Sequence, residues 1–175
     1  MGSTPIARSL RYGSRFVSRY DWLLFLHVLS AFALVGAVVV FTIVIVASWT
    51  RDVPSEIVRL FQVSRIGDVL IGVGSIGVLV FGIWLAIDVD GYELWDGWIL
   101  AALVLWAAMG AIGSREGKVY NAARDRARAL VREGNDAPSA ELQALIRDRR
   151  GLWLHIATIV IVLAFLVDMI FKPGA

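Results

Sequence analysis

Residues 22–49, WLLFLHVLSAFALVGAVVVFTIVIVASW, are the stretch that decides the fold. They carry no formal charge over 28 residues, and His27 is the only side chain among them that titrates near neutral pH. An α-helix rises about 1.5 Å per residue, so this stretch reaches roughly 42 Å as a helix, whereas about 20 residues cross the hydrocarbon core of a bilayer. The sequence therefore predicts a membrane-spanning helix here.

The composition of the chain indicates the same class of protein. Of its 175 residues, 58% are hydrophobic and 18% are charged, and the mean hydropathy is +0.72. Average soluble domains are about 45–50% apolar and about 25% charged. The absence of cysteine excludes disulfides, thiolate metal sites and cysteine nucleophiles. The formal net charge of only +2 is compatible with anionic lipid nearby and does not indicate a nucleic-acid binder.

Three more apolar segments follow the first, at residues 69–87, 97–113 and 152–171. They predict an all-α, polytopic membrane protein with a four-helix transmembrane bundle over residues 22–175. Residues 114–151 are polar and contain two stretches with helical spacing of apolar residues, separated by GNDAPS at 134–139. We expect a helical hairpin outside the membrane here, between the third and fourth spans, with its two halves packed on each other.

Two polar segments flank the first span. Residues 1–21 form a basic N-terminal arm whose four arginines recur at helical spacing, so that it either lies on an anionic bilayer surface or forms a solvated tail. Residues 50–68 contain Asp52 and Pro54, which suit a helix start, and then mix apolar residues with arginine. This second segment predicts a short helix that lies in the membrane interface, with a plain connecting helix as the alternative.

The distribution of Lys and Arg predicts the orientation. Four spans place both termini on one side of the membrane. That side carries 5 Lys and Arg, and the opposite side carries 12. The positive-inside rule places the larger count in the cytoplasm. The long loop 114–151 is therefore predicted to be cytoplasmic, and both termini are predicted to lie on the outer side of the plasma membrane, which is the inner membrane of a bacterial cell.

Titratable side chains within the spans are the candidate functional residues, because an ionisable group in a bilayer is costly. They are His27, His155 and Asp168, with Asp68 at the start of the second span. His27 lies about 7.5 Å from the terminal side and His155 about 4.5 Å from the opposite side, which leaves roughly 18 Å between them in depth. Metal–imidazole bonds are about 2 Å long, so these two histidines are not expected to share one metal ion or haem iron within a chain.

Equal depth predicts two pairs instead, His27 with Asp168 and His155 with Asp68. A carboxylate beside an imidazole favours the imidazolium and can fix a tautomer. Each pair is consistent with a proton relay or a single-histidine haem site, and also with a structural hydrogen bond between helices. The sequence contains no HExxH, phosphate loop or nucleophile elbow, so no catalytic residue is assigned.

Three segments resemble known membrane protein families. WLLFLHVLSAFALVGA at 22–37 resembles the first helix of four-helix bacterial proteins of the CopD-like and HemJ-like kind. GVLVFGIWLAI at 77–87, with the acidic turn and GWILAALVLW after it, resembles their second hairpin. DMIFKPGA at 168–175 resembles the end of a related family of predicted integral membrane proteins with no assigned function, to which we expect the chain to belong.

The HemJ-like resemblance implies a haem ligand. In those proteins a histidine of the first helix is thought to hold haem in protoporphyrinogen oxidation, and only His27 could take that role, as a ligand of haem b. This chain departs from the pattern, because Leu34 and Val35 stand before Gly36 in place of the usual Trp. Its two lysines, Lys118 and Lys172, both lie outside the spans, where the family has a lysine within a later helix.

The CopD-like resemblance implies copper, but a chain with no cysteine and three methionines offers few soft ligands. Three functional hypotheses remain. The favoured one is a non-enzymatic protein of the lipid bilayer, either a homo-oligomer or an accessory subunit of a membrane complex. The alternatives are a b-type haem redox protein that uses His27, and a small transporter or proton conductor that uses His27 and Asp168.

Overall fold

The computed structural model of the protein describes residues 18–89 and 91–173, so that the predicted basic arm lies almost wholly outside the described residues. Four helical segments are long and apolar enough to cross a membrane, the fourth being the stretch Ala140–Phe171. This confirms the predicted all-α class with four spans. The helices in chain order are α1 (Arg19–Ser48), α2 (Pro54–Asp88), α3 (Gly97–Arg132), α4 (Ala140–Ile146) and α5 (Arg149–Phe171).

The helix α2 is longer than the sequence predicts. Pro54 is at its first turn, as expected, but the helix then continues without a break to Asp88. The prediction of a separate interfacial helix within 50–68 is therefore wrong. Ile57 and Phe61, which suggested an apolar face on lipid, are instead buried in a protein core, and this packing holds the segment in line with the rest of α2.

The polar segment between the third and fourth spans forms the expected helical hairpin. Helix α3 runs on to Arg132, and Gly134 follows with a φ of +72°, a left-handed conformation that suits glycine at a helix end. Helix α4 then begins after Ser139, whose hydroxyl accepts a hydrogen bond from the backbone of Leu142. The two halves pack on each other and also against α1 and α2, in a core formed by Val44, Ile57, Phe61, Ala123, Ala127, Leu130, Leu142 and Ile146.

Helices α1 and α2 form the tightest contact in the bundle. At Gly74, an added Cβ would lie 2.8 Å from the backbone nitrogen of Leu34 and 2.9 Å from the carbonyl oxygen of Ser30. Only glycine allows the two backbones to approach this closely, which is how helices commonly associate in lipid. Helix α5, by contrast, packs chiefly on α3 and touches α1 little.

The antiparallel order gives the bundle two ends. We call the end that holds residues 18, 91–96 and 173 the terminal side, and the end that holds residues 49–53 and 133–148 the long-loop side. An apolar layer lies between the two ends. Its buried residues are Leu34, Val38, Val78, Met109 and Val162.

Candidate functional site: a buried glutamate–histidine cluster

A cluster of four polar side chains joins α1, α3 and α5 on the long-loop side of the apolar layer. The Nδ1 atom of His155 lies 2.7 Å from Oε1 of Glu116, and its Nε2 atom lies 2.9 Å from the hydroxyl oxygen of Thr42. The hydroxyl of Thr158 donates to the other carboxylate oxygen, Oε2, at 2.8 Å. His155 is 4% exposed and Glu116 is 8% exposed, so both groups depend on protein partners. We call these four residues the Glu116 cluster.

The helical repeat of α3 places Glu116 inside the protein. The buried residues Ala102, Met109, Glu116, Ala123 and Leu130 are spaced seven apart, so Glu116 falls on the same face as the apolar residues before and after it. Residues seven apart in an α-helix lie on nearly the same side. Glu116 does not stand out in the sequence, because the residue lies just beyond the apolar segment, among charged neighbours. The seven-residue spacing is the signal that could have found it.

The two threonines each have a choice of hydrogen-bond acceptor. The hydroxyl of Thr42 lies 2.7 Å from the carbonyl oxygen of Val38, and the hydroxyl of Thr158 lies 3.1 Å from the carbonyl oxygen of Leu154. A hydroxyl has one proton to donate and can also accept. Each threonine can therefore donate into the Glu116 cluster, or donate to its own helix and accept from the cluster.

These choices allow the cluster to hold different numbers of protons. When the Thr42 hydroxyl donates to the carbonyl oxygen of Val38, it can accept a hydrogen bond from Nε2–H of a protonated His155. When it donates to Nε2 instead, His155 is neutral and carries its proton on Nδ1. In the same way, Thr158 can donate to an ionised Glu116 or accept from a protonated one. Proton gain and loss then require only rotations of hydroxyl groups, and every polar atom of the cluster keeps a partner.

A cavity of about 350 Å³, which we call the long-loop cavity, leads to the Glu116 cluster. Glu116 and His155 form part of its wall, and Tyr120 and Arg124 line it closer to the long-loop side. The hydroxyl of Tyr120 and Nε of Arg124 are buried and make no hydrogen bond to the described protein. Buried polar atoms of this kind are normally satisfied by water, so the cavity is suited to carry water to the cluster.

The structure does not form either of the predicted pairs. The partner of His155 is Glu116, and not Asp68, which is exposed on α2 and lines the long-loop cavity. Nδ1 of His27 and Oδ2 of Asp168 are each buried without a hydrogen-bond partner, so the two residues do not bond through these atoms. Equal depth fails as a guide because α5, which holds both His155 and Asp168, packs chiefly on α3 rather than on α1 or α2.

The two histidines lie far apart in the bundle. Thr42 contacts His155, and positions 27 and 42 of α1 are 15 residues apart, which is about 22 Å along the helix axis. One metal ion cannot bridge this distance, because metal–imidazole bonds are about 2 Å. Within residues 18–89 and 91–173, no group of three or more His, Cys, Asp or Glu side chains could hold a metal ion.

The side chain of His27 packs against helix α2. Its ring is pressed against Gly82, where an added Cβ would lie 2.9 Å from Cε1 and 3.2 Å from Nδ1. A metal-ligating histidine almost always donates its second ring N–H to a carboxylate, a carbonyl or water, which fixes the ring and raises its basicity. Nδ1 of His27 has no protein partner, and a nitrogen that binds a metal needs none, so haem ligation by His27 stays a prediction.

The chain belongs to a family described as "Predicted integral membrane protein (DUF2269)", whose model matches residues 21–173. No curated protein and no solved structure matches the chain. The family assignment confirms the expected kinship with predicted integral membrane proteins of unassigned function. The resemblance to CopD-like and HemJ-like proteins stays a prediction.

Proposed function

We propose that this integral membrane protein conducts protons across the bilayer, and that Glu116 and His155 are its proton-binding residues. The observation that carries the proposal is the pair of alternative acceptors at Thr42 and Thr158. A site that gains and loses protons needs such alternatives, because each protonation state must keep its hydrogen bonds in a medium of low polarity.

The depth of the cluster supports a role in proton transfer. His155 lies six residues after Arg149 and 16 before Phe171, about 9 Å and about 24 Å along α5. It therefore sits within the apolar thickness of about 30 Å, towards the long-loop side. Ionisable residues at such positions are costly, and chains of Asp, Glu and His serve as proton relays in pumps and transporters.

The apolar layer argues for a carrier that changes shape, and against an open pore. This layer lies between the Glu116 cluster and the terminal side, and none of its five buried side chains is ionisable. A proton bound at the cluster can cross only if the helices rearrange and expose the site to the other side. The weak contact between α1 and α5 is where such a movement would meet least resistance.

The proposal is tested in sealed liposomes that contain the purified protein and a pH-sensitive dye. A potassium gradient with valinomycin imposes a membrane potential, and dye fluorescence reports proton entry. We expect entry above that of protein-free liposomes, and we expect Glu116→Gln to reduce it to the protein-free level. Glu133→Gln, an exposed carboxylate at the end of the same helix, is the matched control and keeps the wild-type rate.

Two results would reject the proposal. Proton entry in wild-type liposomes equal to that in protein-free ones excludes conduction. A Glu116→Gln rate equal to the wild-type rate excludes Glu116 as a proton-binding residue and returns the cluster to a purely structural role.

We further propose that the long-loop side faces the cytoplasm of the cell, because that side carries 12 of the 17 Lys and Arg residues. In sealed inside-out vesicles, added protease should cut within the exposed break at residues 134–139. Protection in such vesicles, with cleavage in intact spheroplasts, would reverse the orientation. Assembly with a second copy or with a membrane partner stays a prediction of the sequence, which cross-linking in native membranes tests.

A further inference from the structure

A second cavity, of about 330 Å³, lies at the opposite end of the bundle and is distinct from the Glu116 cluster. We call it the terminal cavity. Its wall is mostly apolar and aromatic and comes from α1, α2, α3 and α5. Leu24 and Val28 line it from α1 and are 37% and 42% exposed. The cavity is therefore open to molecules that reach it from the lipid.

Lys172 is the only formally charged residue among the described residues that line the terminal cavity. It ends α5 in a left-handed conformation with a φ of +41°, and its backbone N–H donates to the carbonyl oxygen of Asp168. Its ammonium donates to the Tyr92 hydroxyl at 2.7 Å and lies 4.6 Å from the centroid of the Tyr92 ring. These contacts fix the position of the charge at the cavity wall.

The ammonium keeps donors for a ligand. It has three N–H groups, of which Tyr92 takes one. No carboxylate of the described residues forms an ion pair with it, and Asp88, at the same end of the bundle, pairs with Arg19 instead. A cation with no paired carboxylate at the wall of an apolar cavity favours an anionic group.

Trp98 supplies a second, independent donor. Its indole ring lines the terminal cavity 5.3 Å from the Lys172 ammonium, and the residue is 7% exposed. The indole Nε1–H is buried and has no acceptor among the described residues. Since an indole N–H can only donate, the group that satisfies it must be an acceptor.

From this combination we propose that the terminal cavity binds a carboxylate amphiphile of the fatty-acid class, taken up from the membrane. The carboxylate accepts a hydrogen bond from Lys172 and, after a rotation of the indole ring, from Trp98, and the hydrocarbon chain lies along the apolar wall. An anionic phospholipid has the same chemistry of acidic head and apolar chain, so the test separates the two sources. The proposal is independent of proton transfer at Glu116.

The experiment titrates the purified full-length protein in detergent with a brominated fatty acid, which quenches nearby tryptophans. Trp98 and Trp106 both line the cavity and serve as reporters. We expect saturable quenching, whereas the brominated fatty alcohol, which lacks the charge, should quench only in proportion to its concentration in the micelle. Lys172→Gln should raise the half-saturation concentration by about tenfold, because it removes one charge-assisted hydrogen bond.

Three further variants test whether the effect is specific to this cavity. Lys118→Gln changes the only other lysine of the chain, exposed on the long-loop part of α3, and should titrate as wild type. Val28→Phe fills the open wall of the cavity and should abolish the saturable phase. Glu116→Gln should leave the fatty-acid titration unchanged, whatever its effect on proton entry.

Three results would overturn the proposal. One is equal, non-saturating quenching by the brominated fatty acid and the brominated fatty alcohol. Another is a Lys172→Gln titration that matches wild type. The third is saturable quenching by brominated phosphatidylglycerol but not by the fatty acid, which would assign the site to a phospholipid.

Discussion

Replacement of Glu116 by Gln and by Ala should have very different effects on stability. In Glu116→Gln, the amide oxygen can accept from Nδ1–H of His155, and the amide nitrogen can donate to the hydroxyl of Thr158. Thr158 can then donate to the carbonyl oxygen of Leu154, which is already 3.1 Å away. Every polar group of the cluster keeps a partner, so Gln reproduces the protonated form of Glu116.

The expected magnitudes follow from those contacts. A hydrogen bond to a charged group contributes about 1.5–3 kcal/mol and a neutral one about 0.5–1.5, so Glu116→Gln should cost about 1 kcal/mol. Glu116→Ala leaves His155 buried without its carboxylate, and breaking one partner of a buried pair costs about 3 kcal/mol. The difference of about 2 kcal/mol is roughly a thirtyfold change in the unfolding equilibrium.

The assay is reversible unfolding in mixed micelles with increasing denaturing detergent, followed by circular dichroism. Glu133→Ala, at an exposed position on the same helix, should stay within about 0.5 kcal/mol of wild type. Equal losses of stability for Glu116→Gln and Glu116→Ala would show that only the charged pair is tolerated. The interchangeable hydrogen bonds on which the proton proposal rests would then be refuted.

Two more substitutions test the packing and the haem hypothesis. Gly74→Ala places a Cβ about 0.5–0.6 Å inside the 3.4 Å limit of ordinary contact with the backbone of α1. It should therefore lower the free energy of unfolding by about 1–3 kcal/mol relative to Gly72→Ala, where the added Cβ meets nothing within 4 Å. Equal unfolding of the two variants would contradict the tight approach of the helices. Haem ligation by His27 predicts a Soret band in the absorption spectrum of the purified protein that disappears in His27→Ala. A purified protein without a Soret band would exclude haem b.

The depth of each polar residue in the membrane was predictable, and its neighbours were not. The sequence separated His27 and His155 by roughly 18 Å, and the structure separates them by about 22 Å. Depth depends only on residue number and helical rise. The partner of His155 depends also on the rotation of each helix about its axis and on which helices are adjacent. Asp68 is near the right level but is exposed, whereas Glu116 faces inward.

Some segment boundaries were also predictable from the sequence, and others were not. The break at 134–139 was predictable because its glycine and proline end helices locally. The continuity of α2 was not, since Ile57 and Phe61 fit a lipid interface as well as a protein core. Only the position of α3 and α4 beside α2 decided between these two environments.

By itself, the sequence determined four membrane-spanning helices, the helical hairpin and the absence of thiol chemistry. These follow from hydropathy and composition, because a bilayer without water requires every backbone group of a span to bond within its own helix. The tertiary structure alone decided that Glu116, His155, Thr42 and Thr158 meet and that Lys172 faces an apolar cavity. In lipid, helix adjacency is set by close packing at residues such as Gly74, and an apolar pattern does not specify which helix a given face will meet.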